Sequence, residues 1–496
     1  MKVTTMRQRF GGMAWLRRGA WLALLGAAPV HADTPIAWEG VADPHIRAAQ
    51  YDALMGKPFD AITQLLADRA QQRVTQQPEQ AEWVLGGMYL AHGSHRLAAE
   101  IFHDMKPDDQ SQDVRDLVWY NLGEAQYQHG LDDEALASFA RIKGALPVEA
   151  RQGRLLMESV LLMRRGRFDE AVSHLEQLGQ KSLVQSLSEK SVWATYGRFN
   201  LGVALYKVGR VQEGESLLQE LGEFDGTSSE VSALKDKANL TLAFHYLDQE
   251  KPSEAERYFM KARLNGPLSD QALLGLGRVY SQKEDHKKSL VPWLNLAKRD
   301  ASDAAVQDAL LAVPFAFGRL DAYKQALEYY DQALRAFKAE LGRLDAAETE
   351  VRSGALMETL ARGINPQIVT DSRILSELPD GPAVSYLGSM LSTDEFQESL
   401  RNYAQLRLAL GRLEHWSAQA AEARGLTRAQ RQDLARRITD LEVRVVQTAD
   451  EVREHLQAMA VLELERRKHR ILGYADEARF SMAQIYDYAA KRWGGK

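Results

Sequence analysis

The sequence predicts an all-α chain of stacked helix pairs, followed by a long helical hairpin or coiled-coil segment and a short terminal helix. Three observations predict it. One spacing recurs along most of the chain: a small residue, a large residue three on, a glycine-type turn, then alanine and an aromatic. Its clearest copy is Trp119-x2-Leu122-Gly123-x2-Gln126, followed by Gly130, Ala135, Phe139 and Pro147. The copies keep a period of about 34 residues. Finally, residues 427–472 contain neither glycine nor proline, which suits one uninterrupted helix.

Each copy can be phased on the small residue of its second helix. Ala61 sets a unit over 42–75, Ala98 over 79–112, Ala135 over 116–149 and Ala171 over 152–185. Gly214 sets 195–228, Ala255 sets 236–269, Ser289 sets 270–303 and Ala326 sets 307–340. Small residues at positions eight and twenty let the two helices approach closely, and large residues at eleven and twenty-four fill the space beside them. Glycine near position fifteen supplies the left-handed turn, and proline near thirty-two stops the second helix. Two copies depart from the pattern. Gly214 should weaken its helix, and Pro314 should kink or shorten the first helix of the eighth unit.

Eight units in phase make the chain resemble the tetratricopeptide repeat (TPR) superfamily over residues 42–340. The resemblance implies an α-solenoid of about eight helix-turn-helix repeats that works by holding partners, without catalysis. It also implies that positions two, five, nine and twelve of each first helix line the binding face. On this chain those positions include Tyr120, Glu124 and Tyr127, then Leu156, Val160 and Met163, then Tyr196, Phe199 and Tyr206, with Phe244 and Arg278 beyond. Tyrosine and arginine suit such a face because they combine apolar area with directed polar groups. On this reading, truncating Tyr127 and Tyr206 should weaken binding and hardly move the melting temperature. Ala135→Leu should instead overpack the helix pair.

The remainder reads differently. Residues 341–383 form a helix and then a linker with Pro366, Pro379 and Pro382. Over 384–472, Ser392-x2-Glu395 opens one helix and Thr427-x2-Gln430 opens another. The second carries the near-heptad stripe Leu434, Ile438, Leu441, Val445, Val452, Met459 and Leu462. Either the two helices pair within the chain, or residues 427–472 pair with a second copy as a homodimer. Residues 473–496, with Ala483 and Tyr486, read as a lone repeat-type capping helix.

The first 32 residues carry Lys2, Arg7, Arg9, Arg17 and Arg18, no acid, an apolar run from Ala20 to Val30, and a Val30-His31-Ala32 end. This is the pattern of a cleavable signal peptide, which predicts a periplasmic protein; an uncleaved inner-membrane anchor is the alternative. No other stretch is long and apolar enough to span a membrane. Cysteine is absent, which excludes disulfides, thiolate metal sites and thiol catalysis. Taking the five leader cations from 62 leaves 57 against 68 acids, a net of about −11 that argues against nucleic-acid partners.

No phosphate-binding glycine loop, nucleophile elbow or zinc-helix motif occurs. His92, His95 and His103 read as surface histidines, so no metal, cofactor or catalytic residue is predicted. The function expected is a non-enzymatic periplasmic scaffold or adaptor that binds envelope proteins or peptides in an assembly, secretion or polysaccharide-export machine. A peptidoglycan-acting enzyme is the rival, along with a purely structural dimer.

Overall fold

A computed structural model of the chain describes residues 41–55, 57–91, 94–104, 112–128, 130–178, 192–224, 229–364, 381–391, 393–422 and 427–493. The leader and most of the proline-containing linker lie outside the described residues. Among the described residues are twenty helices and no strand. The first sixteen form eight pairs: α1 (Pro44–Leu54) with α2 (Pro58–Ala70), α3 (Pro78–Ala91) with α4 (His95–Asp104), and α5 (Gln112–Gln128) with α6 (Asp132–Phe139). Next come α7 (Val148–Arg164) with α8 (Phe168–Gln177), α9 (Val192–Lys207) with α10 (Val211–Glu223), and α11 (Ser229–Asp248) with α12 (Pro252–Phe259). The last two pairs are α13 (Ser269–Gln282) with α14 (His286–Leu296), and α15 (Ala304–Arg319) with α16 (Tyr323–Arg352). The predicted all-α repeat fold is the fold the chain adopts.

The pairs close by one recurring contact. A Cβ added to Gly86 would lie 2.5 Å from the Phe102 ring, one on Gly123 2.6 Å from Phe139, and one on Gly277 2.0 Å from Trp293. The position-twenty-four side chain therefore rests on the bare backbone of position eight, and glycine there is a packing requirement. The same reason corrects the expectation for Gly214. Its Cβ would come within 2.7 Å of the Gly202 carbonyl oxygen, and α10 runs through it unbroken. Pro314 does not shorten its helix either: α15 spans 16 residues across it.

Two compact units divide the chain, one made of Pro147–Arg299 with Phe315–Ala322 and the other of the remaining described residues. In the first, α7 to α14 pack each on the next around a single apolar core that includes Met163, Phe199, Leu218, Tyr258 and Phe259. In the second, α1 to α4 surround Ile46, Ile62, Leu65 and Met88, and α3, α4 and α5 surround Trp83, Phe102 and Leu122.

Pro147 does not stop α6, which ends eight residues earlier at Phe139; it stands as the N-cap residue of α7. The early stop frees backbone amides, and an aspartate at the first or second residue of the unit collects them. Asp116 accepts from Lys143 N at 3.0 Å and Gly144 N at 2.6 Å. Asp236 does the same for Arg263 N at 3.2 Å and takes its guanidinium Nε at 2.8 Å. Asp43 accepts from Thr75 N and Gln76 N at 3.1 and 2.9 Å. Burial alone would raise the Asp43 carboxyl, but the amides of Gln76, His45, Ile46 and Thr75 outweigh it and hold it below its ordinary value.

In the second unit α16 continues past the predicted boundary at 340 to Arg352, and left-handed Gly354 turns the chain into α17 (Ala355–Gly363). A short helix the sequence did not reveal, α18 (Pro382–Leu391), begins with proline in its first turn. Then α19 (Asp394–Glu422) folds back on α20 (Arg428–Trp493), so the hairpin is intramolecular. The Thr427–Gln430 capping box forms: Thr427 N donates to Gln430 Oε1 at 2.9 Å and Gln430 N to Thr427 Oγ1 at 3.3 Å. Ser392 lies outside the described residues.

Two details of α20 differ from expectation. It spans 66 residues without a break at Gly473, so the predicted separate capping helix is its C-terminal part. Gly473 costs about 1 kcal/mol of helix propensity. Ile471, Tyr474, Ala475 and Ala478 offset that by packing into the core formed with α16. Its buried residues are also not the heptad set: Ile438, Ala449, Leu456, Ala460, Leu464, Ile471, Ala475 and Ala478 are buried, while Leu441 and Leu462 are exposed. A helix of 3.6 residues per turn drifts against a strict heptad, and the buried set follows the straight helix.

Candidate functional site

The face implied by the resemblance is built by first helices of the units. On α5, Tyr120, Glu124 and Tyr127 are all buried, and the Tyr120 hydroxyl donates to Glu124 at 3.3 Å. Burial raises the Glu124 carboxyl to about 7, with the Tyr120 hydrogen bond pulling weakly the other way. In the other unit, Leu156, Val160 and Met163 on α7 and Tyr196 and Phe199 on α9 are buried too. These side chains pack between helices; removing Tyr127 opens a cavity, so truncation there costs stability as well.

Among the residues named for this face, those that keep open surface lie in the unit made of Pro147–Arg299 with Phe315–Ala322. Tyr206 on α9, Phe244 on α11 and Arg278 on α13 are each half-buried. Tyr206 meets His245 with ring centroids 4.4 Å apart, and Phe244 stands edge-on to Phe259 at 5.0 Å. Lys237, at position two of its unit, is half-buried and has no ion-pair partner among the described residues. Burial lowers its pKa, as expected of an ammonium losing water without gaining a carboxylate. An ammonium without a carboxylate partner can take one from outside.

A second set of residues was not read from the sequence as part of a face. Tyr246 stacks on Tyr258 at 5.6 Å with planes 4° apart, its hydroxyl donates to Glu215, and Arg257 lies 4.8 Å over the Tyr258 ring. Burial keeps His245 below its ordinary pKa, hence neutral at pH 7. The runs Phe244-His245-Tyr246 and Tyr258-Phe259 carried the signal; the spacing rule named Phe244 for the binding face and Tyr246 and Phe259 only as packing residues.

The sequence profile of a tetratricopeptide repeat family matches residues 240–305, which takes in the C-terminal part of α11 and all of α12, α13 and α14. The chain is a TPR-type repeat protein. A putative pentatricopeptide repeat-containing protein of Arabidopsis thaliana is 27% identical over 178 residues, 36% of this chain. The chain covers 37% of that relative's length. Among solved structures, NprR in complex with its cognate peptide NprX aligns with 78% of this chain and 98% of its own, at 12% identity and a TM-score of 0.30.

The residues matched by the profile include Phe244 and Arg278, and Lys237 lies three residues before the matched span on α11. Among the described residues no helix is long and apolar enough to cross a membrane. Of the three histidines considered for a metal, His92 lies outside the described residues and His103 is exposed on α4.

Proposed function

We propose that this TPR protein is a non-enzymatic adaptor that grips an extended, acidic segment of a partner protein on the first-helix face of α9, α11 and α13. The observation that carries this reading is Lys237, a half-buried ammonium with no counter-ion among the described residues, two turns before Phe244 on α11. A partner carboxylate would meet Lys237 and Arg278, and apolar side chains would lie against Tyr206 and Phe244. The leader sequence supports a periplasmic setting. There the adaptor would hold components of an envelope assembly, secretion or polysaccharide-export machine.

Crosslinked co-purification from the native envelope tests it. Lys237→Glu with Arg278→Glu is expected to remove the crosslinked partner, and Lys237→Arg to retain it, with unchanged helicity in both. Loss of the partner in the arginine variant alone would contradict the charge argument. The rival enzymatic reading is tested on purified murein sacculi, where no soluble fragments are expected.

A further inference from the structure

The end of the α19–α20 hairpin nearest its connection is basic in a chain of net negative charge. Between Ala423 and Thr439 stand five arginines, Arg424, Arg428, Arg431, Arg436 and Arg437, against one acid, Asp433. Arg424 lies outside the described residues. Of the other four, Arg428, Arg436 and Arg437 are exposed, Arg431 is half-buried, and none has an ion-pair partner among the described residues. Farther along the two helices arginines are matched: Arg407 by Glu358, Arg453 by Asp450 and Arg467 by Glu463.

The cluster that closes this end, Leu413, Ala420 and Ile438 with Leu434 and Val445, draws on α19 and α20 alone. At about 100° per residue, Arg428 and Arg436 stand on one flank of the buried Ile438 and Arg437 on the other. The four cations fall within about 15 Å of helix length. Trp416, 52% exposed, lies about one turn from Leu413 toward the connection.

We infer that this end of the hairpin docks on an anionic phospholipid surface. A peptide strand lying along a helix meets one flank, whereas cations on both flanks are met together by a surface charged over its whole extent. Guanidinium groups take phosphate oxygens in paired hydrogen bonds, and arginine reaches a headgroup while its stem lies against apolar matter. Tryptophan settles at the same headgroup level. The net negative charge of the chain opposes such binding, so the attraction must come from a local concentration of cations, which this end provides. The contact shares no residue with the Lys237 face and does not depend on it.

Flotation of the purified chain with phosphatidylcholine vesicles, with and without phosphatidylglycerol, tests this. The wild type is expected to float with the anionic vesicles, to stay behind with the neutral ones, and to be released by high salt. Arg428→Glu with Arg436→Glu is expected to weaken binding by at least about tenfold, and the same pair changed to lysine to retain it, with unchanged helicity in both. Lys324→Glu with Arg335→Glu, an equal charge change on exposed side chains of α16, is expected to leave binding intact. No flotation with anionic vesicles, equal flotation with neutral ones, or binding indifferent to the Arg428 and Arg436 reversal would each overturn the assignment. Equal loss in the Lys324 and Arg335 variant would overturn it too, as would retention of polyglutamate or duplex DNA by a chain that ignores vesicles.

Discussion

Position fifteen of the last six units turns the chain with a positive φ. Gly130, Gly166 and Gly209 do so at 69°, 74° and 85°. Glu250, Glu284 and Asp321 occupy the same position at 58°, 58° and 57°. A side chain in this region is strained by about 1 kcal/mol. Glu250→Gly is therefore expected to raise the stability by a few tenths to about 1 kcal/mol, read in urea unfolding. Gly214 gives the opposite lesson. Gly214→Ala gains helix propensity but drives its Cβ onto the Gly202 carbonyl, and a net loss of about 1–3 kcal/mol is expected. The glycine spacing was legible; that non-glycine residues take the same turn was not, because a side chain leaves no trace of φ in the sequence. Glu124 sets a pH dependence. Its folded pKa, about 7, lies above the ordinary 4.5, so stability is greatest below about pH 4.5 and falls as pH rises through 7. Glu124→Gln is expected to match the wild type at pH 4.5 and exceed it by about 1–3 kcal/mol at pH 8, read from denaturant midpoints.

Helix pairs were phased correctly from one buried small residue each, since the fully buried Ala61, Ala98, Ala135, Ala171, Ala255, Ser289 and Ala326 all sit on second helices. Their ends were not legible. Pro147 marked the right loop, but α6 and α12 stop early because Asp116 and Asp236 supply carboxylates to the amides beyond them. Contacts 27 residues apart in sequence carry no local signature. Asp236→Ala leaves the Arg263 amide and guanidinium unpaired, and a loss of about 1–3 kcal/mol is expected, with faster amide exchange over 260–266. The heptad reading of α20 failed for a related reason. Period 3.5 and period 3.6 coincide over two or three turns, and only the full length of a 66-residue helix separates them.

For the molecule as a whole, the sequence implied a binding face but overstated its extent. Tyr120, Glu124, Tyr127, Met163, Tyr196 and Phe199 pack in the interior, while Tyr206, Phe244, Arg278 and Lys237 keep open surface. Position numbers within a repeat cannot tell these apart, because exposure depends on how closely neighbouring units stack. The account holds that this open remnant works by shape and charge. Site-specific photo-crosslinking in cells tests it most directly, with a photoreactive residue at Arg278 and, as control, at Val291, which is 70% exposed on α14. Discrete adducts from position 278 and none from position 291 are the predicted result. Adducts from 291 alone, or none from 278 in a folded chain, would contradict it.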